Sequence, residues 1–183
     1  SRETILGAAL DTAAAEARYF DLAVLPWSGE MVAQDMIHAV VFGSGRPTIL
    51  VPPAARPAPL DHIAIAWDAG RFAARALGDA LPFLAEGGRV SVLTVRDEKP
   101  LSGSDLAGAL ASALEKRGFS AKPLDVLLGR KSIAAALQDA ALSEGAKLLA
   151  MGGFGHSRIR DFILGGATKG ILSDLRLPTL LSH

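Results

Sequence analysis

The chain has 183 residues, half of them hydrophobic and 21% charged, which is enough apolar material for a buried core and gives no compositional case for disorder. Nineteen lysines and arginines balance nineteen aspartates and glutamates, so the basic footprint of a nucleic-acid-binding protein is missing; cysteine is absent, which excludes disulfides, thiolate catalysis and cysteine-held metals. No apolar run approaches the ~20 residues of a membrane helix, and no basic stretch leads into an apolar signal segment after Ser1, so no membrane partner and a cytoplasmic protein are expected.

In chain order, an alanine-rich helix comes first, then a strand from Asp21 to Leu25, a helix from Met31 to Phe42 and a strand from Thr48 to Val51. Pro52-Pro53-Ala54-Ala55-Arg56-Pro57-Ala58-Pro59 reads as an extended linker, because proline fixes φ and withholds backbone donors from helix or sheet. The chain therefore divides into residues 1–55 and 56–183. After the linker, His62 to Trp67 is a strand, and Arg71 to Ala85 carries Ala73, Leu77, Ala80, Leu81 and Leu84 at helical spacing, with Pro82 expected to kink or shorten the helix. Arg89 to Val95 is a strand and Ser104 to Arg117 a helix stopped at Gly118. Lys122 to Leu128 is a strand, followed by a helix capped by Ser132 and closed by Gly145. Lys147 to Met151, a glycine-rich loop, a short helix from Thr168 to Ser173 and the strand Thr179 to Ser182 complete the chain.

This alternation predicts an α/β fold, with a parallel sheet covered by crossover helices. Residues 1–55 repeat the second half of the later unit, since Pro47-Thr48-Ile49-Leu50 aligns with Pro178-Thr179-Leu180-Leu181 and the preceding helices fall in register. A half unit of two strands leaves much apolar surface uncovered, so it is expected to lean on the complete domain or to belong to a longer unit.

The chemistry is concentrated in Met151-Gly152-Gly153-Phe154-Gly155-His156-Ser157-Arg158-Ile159-Arg160-Asp161-Phe162-Ile163-Leu164-Gly165-Gly166-Ala167-Thr168. Glycines at a strand end allow close backbone approach, and a helix N-terminus beyond them adds a positive dipole, so such a loop can cradle phosphate without lysine. The stretch resembles the pattern G-x2-G-x9-G-[S/T] of the universal stress protein family, with Gly152, Gly155 and Gly165 in register. The resemblance covers essentially residues 60–183, including Asp68 and the closing Pro178-Thr179-Leu180-Leu181. It implies an open parallel five-stranded sheet in the order 3-2-1-4-5 with helices on both faces, like the adenine-nucleotide hydrolases, and a ligand at the switch point between the first and fourth strands. It also implies an ATP-binding stress-response module, with Mg²⁺ arriving with the nucleotide.

By the same resemblance, Asp68 lies near the adenine or ribose, Gly152 and Gly155 border the ribose and phosphates, and Gly165, Gly166, Ala167 and Thr168 hold the phosphate tail. Met151, His156 and Arg158 complete the candidate set. Gly166 departs from the pattern, which has a hydroxyl there; Thr168 is the nearest replacement. Asp68 is equally a candidate helix cap. The N-terminal half offers only Leu25-Pro26-Trp27-Ser28-Gly29 at the corresponding place and is not expected to bind phosphate.

Gly129-Arg130-Lys131-Ser132 echoes the end of a P-loop but lacks its first glycine, and reads as a helix cap. The histidines at 38, 62, 156 and 183 show no metal-ligand spacing. No nucleophile is paired with a base, so at most slow ATP hydrolysis is expected. The alternative is a structural or partner-binding member without a nucleotide. An ATP pyrophosphatase-type enzyme ranks last, because Trp67-Asp68-Ala69-Gly70-Arg71 lacks the serine- and glycine-rich loop that class needs. The edge strands Thr48 to Val51 and Thr179 to Ser182 are expected to pair with each other as an intrachain pseudo-dimer, or across a homodimer.

Overall fold

The computed structural model describes residues 2–96, 105–153 and 166–183. Its elements are α1 (Arg2–Ala17), β1 (Ala23–Pro26), α2 (Met31–Gly43), β2 (Thr48–Val51), β3 (His62–Ala66), α3 (Arg71–Ala80), β4 (Arg89–Arg96), α4 (Leu106–Glu115), β5 (Ser120–Leu127), α5 (Ile133–Ser143), β6 (Leu148–Gly152), α6 (Gly166–Ser173) and β7 (Thr179–Ser182). The seven strands form one sheet in the order β1-β2-β7-β6-β3-β4-β5. Strands β3 to β7 keep the expected five-strand order, and all their pairings are parallel. Two strands from the first 55 residues extend that sheet.

The junction is antiparallel. Thr48 lies opposite Leu181, Ile49 opposite Leu180 and Leu50 opposite Thr179. Pairing therefore occurs within the chain, and it covers the edge that β7 would otherwise leave with unpaired backbone groups. Under the alignment of the two halves the register is its own mirror, and a local two-fold axis passes between Ile49 and Leu180.

Local chemistry explains most boundaries. Ser132 Oγ accepts from Ala135 N at 3.2 Å and starts α5, while Asp105 Oδ1 accepts from Gly108 N at 2.8 Å and starts α4. Gly118 and Gly145 stop α4 and α5 in left-handed conformations, with φ of 89° and 78°. Pro82 acts as expected: α3 ends at Ala80, and Leu81–Phe83 tightens into a 3-10 turn. The P-loop echo is a cap, with Lys131 Nζ 2.6 Å from Asp139 Oδ2 on the helix that follows. Among the described residues no helix is long and apolar enough to cross a membrane.

The pleat sends alternate side chains into two cores. Ala64, Leu149, Met151 and Leu181 join Trp27, Ile37 and Val41 of the N-terminal half with Leu137 and Ile171 of α5 and α6. Ile63, Ile65, Leu148, Ala150 and Leu180 pack on the other face against Ala76 and Leu77 of α3 and Leu114 of α4. Each large aliphatic side chain so buried contributes about 1.5–3 kcal/mol. The first core crosses the linker, so residues 1–55 share apolar packing with the later unit.

Candidate functional site

The winding direction reverses between β3 and β6, which lie side by side. Their ladder ends at Ile65 and Ala150, one residue before β3 finishes and two before β6 does. A crevice thus opens at the carboxyl ends of the two strands, the position where open α/β sheets hold ligands. Four features of the described chain meet there: the turn after β3, the root of the loop after β6, and the first turns of α3 and α6.

The turn after β3 is tightly specified. Asp68 Oδ1 accepts from Gly70 N at 2.7 Å, closing an Asx turn, and Ala69 between them has φ of 59°. A left-handed alanine costs roughly 1–2 kcal/mol, so the surrounding bonds must hold it. They do: Trp67 N donates to Leu93 O at 2.7 Å and Thr94 Oγ1 donates to Trp67 O at 3.1 Å. Asp68 is exposed, and the cap position of α3 belongs to Gly70 rather than to Asp68, whose carboxylate bonds to the N–H of that cap residue. Arg71 opens α3 with its guanidinium 4.6 Å from the centre of the Phe72 ring.

The root of the loop consists of two glycines facing opposite layers. A Cβ on Gly152 would sit 2.6 Å from Phe72 Cβ and 2.8 Å from the Phe72 carbonyl carbon, so the strand end and the first turn of α3 touch only because no side chain intervenes. A Cβ on Gly153 would face Phe42 and Val41 of α2 at 3.6 Å, an ordinary contact. Gly153 N donates to Ser182 O at 2.7 Å, and Thr168 Oγ1 donates to Gly153 O at 3.0 Å. The loop's first residue is thus fixed by β7 and by α6, whose own start returns to the same place.

The candidates from the sequence separate into groups. Asp68, Gly152 and Gly166 stand at the crevice, and a Cβ on Gly166 would meet nothing within 4 Å. Met151 and Thr168 are buried, at 4% and 1% exposure, and Ala167 packs against the core, so their backbones rather than their side chains line the site. The Thr168 hydroxyl is engaged with Gly153. Gly155, His156, Arg158 and Gly165 lie outside the described residues.

Further residues emerge from the fold alone. His183, just after β7, stacks on Phe72 with centroids 5.0 Å apart and lies perpendicular to Phe42 at 5.2 Å; His38 in turn meets Phe42 at 4.6 Å. Burial lowers the His183 pKa, and the positive charge of Arg71 adds to the effect. Asp68-x-Gly70 is a local signal for the Asx turn. Nothing local in the sequence announces the contact between Phe42 and His183.

Comparison with known proteins is consistent with this geometry. A sequence model of the universal stress protein family matches residues 59–183. The chain belongs to this family. Its fold is similar to that of a universal stress protein from Archaeoglobus fulgidus DSM 4304, at TM-score 0.70 and 15% identity, over 91% of this chain and 62% of that one. The chain thus spans less than two thirds of that relative's length. A universal stress protein family member from Burkholderia pseudomallei matches at TM-score 0.51 and 22% identity, over 69% of this chain and 98% of its own. A universal stress protein crystallised in complex with cAMP matches at TM-score 0.51 and 16% identity, over 69% and 99% of the two chains. No curated protein matches the sequence.

Proposed function

We propose that the chain is an adenine-nucleotide-binding module of the stress response, with ATP as ligand and Mg²⁺ accompanying it, and that occupancy rather than rapid turnover is its output. The observation that carries this reading is the convergence at one crevice of the Asx turn after β3, the glycine root after β6 and the N-termini of α3 and α6. Neither helix has an acidic residue in its own first turn; the one carboxylate described at these N-termini is Asp68, bonded to the N–H of the α3 cap residue Gly70. Asp68 would accept from the ribose or base, and the backbone from Gly152 and from Gly166 to Thr168 would border the phosphates. The open space beside Gly166 leaves room for a phosphate oxygen where the family pattern has a hydroxyl. A nucleotide in one family member, the cAMP complex, lends support.

We read residues 1–55 as a partial unit of the same kind and 56–183 as the complete domain, with the pseudo-dimer made within the chain. The test is a calorimetric titration of nucleotide-stripped protein with ATP and Mg²⁺, beside Gly155→Val and Gly166→Ser. Wild-type binding in the micromolar range, about 8 kcal/mol, is expected. Gly155→Val should abolish it and Gly166→Ser should tighten it severalfold, by roughly the 0.5–1.5 kcal/mol of one hydrogen bond. Brisk steady-state hydrolysis would contradict the switch. The second reading, a partner-binding scaffold without nucleotide, is favoured by one observation: Gly166 has no hydroxyl and that of Thr168 is already committed. No heat from any of the three proteins would contradict the nucleotide reading and favour this one.

A further inference from the structure

Gly152 and Gly153 sit between the two halves of the chain. Gly152 faces Phe72 of α3, within the later unit, whereas Gly153 faces Phe42 and Val41 of α2, within the first 55 residues. The ring of His183 links these sides at the carboxyl ends of the strands, stacked on Phe72 and in perpendicular contact with Phe42. Val41 is buried in the core that crosses the linker, and β2 fixes the height of α2 through its pairing with β7. The only donor of Gly153, its N–H, goes to Ser182 on the same β7.

We infer that the N-terminal half is a positioning element for the nucleotide loop, with Phe42 as the residue through which it acts. Phe42 closes the α2 side of the space beside Gly153, whose N–H is tied to β7, and braces the first turn of α3 through His183. The site in the later unit is therefore completed by a helix from the earlier one. This rests on the nucleotide-binding reading above for its consequence, and on packing alone for its mechanism. The phenyl ring acts at the place where the loop leaves the sheet.

The experiment compares Phe42→Ala with Ile37→Ala, a substitution buried on the same helix, at 2% exposure, in the core rather than at the loop. Both variants should lose thermal stability. Phe42→Ala alone should weaken ATP·Mg²⁺ binding by about fivefold, the low end of energetic coupling between sites. It alone should also speed amide exchange at Gly153 by a similar factor. Equal loss of affinity in both variants, or unchanged affinity and unchanged Gly153 exchange in Phe42→Ala, would overturn the inference. If wild-type protein binds no nucleotide, the proposed function fails, and exchange at Gly153 still decides whether Phe42 holds the loop root.

Discussion

Trp27 and Gly153 occupy the same position in the two halves of the molecule. Each follows its strand directly and donates its N–H to the last residue of the neighbouring strand, Trp27 to Val51 at 2.9 Å and Gly153 to Ser182 at 2.7 Å. The equivalence extends along both strands. Ala23 N donates to Pro47 O as Leu149 N donates to Pro178 O, and the hydroxyls of Thr48 and Thr179 each donate to the carbonyl two residues earlier. Backbone and register are the same, yet one half places a large indole in the core and connects through residues 27–30, while the other places a glycine and connects through 153–165. A filled position stabilises; an empty one leaves room for a loop and, on our reading, a ligand.

The comparison breaks most visibly at Trp27. Its indole is 6% exposed and belongs to the core shared by both halves, so Trp27→Ala should lower unfolding free energy by about 3–5 kcal/mol in chemical denaturation. A loss near zero would mean that the first half is not anchored by this residue. At the other root the two glycines should differ. Gly152→Ala drives a methyl group into the backbone of α3 and should cost about 1–3 kcal/mol, whereas Gly153→Ala makes ordinary contacts and should cost less than about 0.5 kcal/mol. The reverse order would contradict the two-layer packing of the loop root.

The smallest expected effect is on pH dependence, and it lies at the opposite, amino end of the interior strand β3. His62 is 3% exposed; its Nε2 is 2.9 Å from Ser91 Oγ, and its buried Nδ1 has no hydrogen-bond partner among the described residues. Burial lowers its pKa, with Arg89 adding to the shift. The unfolded chain, titrating near about 6.5, then binds more protons than the folded one as pH falls, so stability is complete above that value and declines below it. His183 acts in the same direction. Asp139, held below its usual range chiefly by the hydrogen bond from Lys131 and then by Arg176, loses its contribution only below about pH 4. Thermal melts between pH 7.5 and 5, set beside the same series for His62→Gln, should show the wild type falling more steeply.

Much of this architecture was legible in advance, for identifiable reasons. Pro47 and Pro178 punctuate the chain, and the strands Thr48–Val51 and Thr179–Ser182 lie where the sequence puts them. Ser132, Gly118, Gly145 and Pro82 act through local backbone chemistry, which a sequence displays directly. The five-strand order came from family resemblance, and the pairing of the two edges was one of two alternatives. What stayed hidden depends on distant partners: the contact of Gly152 with Phe72, the stacking of His183, and the reach of α2 to the loop of the other half. The left-handed Ala69 was hidden for a different reason, since alanine rarely adopts that conformation and only the fixed turn around it makes it stay.

The most direct test is a backbone amide NMR titration of the whole chain with ATP and Mg²⁺, comparing the two equivalent positions in one experiment. Saturable shifts are expected at Gly70, Gly153 and the amides opening α6, with Trp27, Ser28 and Gly29 unmoved. Shifts at both roots, or at neither, would contradict the claim that one half holds the ligand and the other is filled.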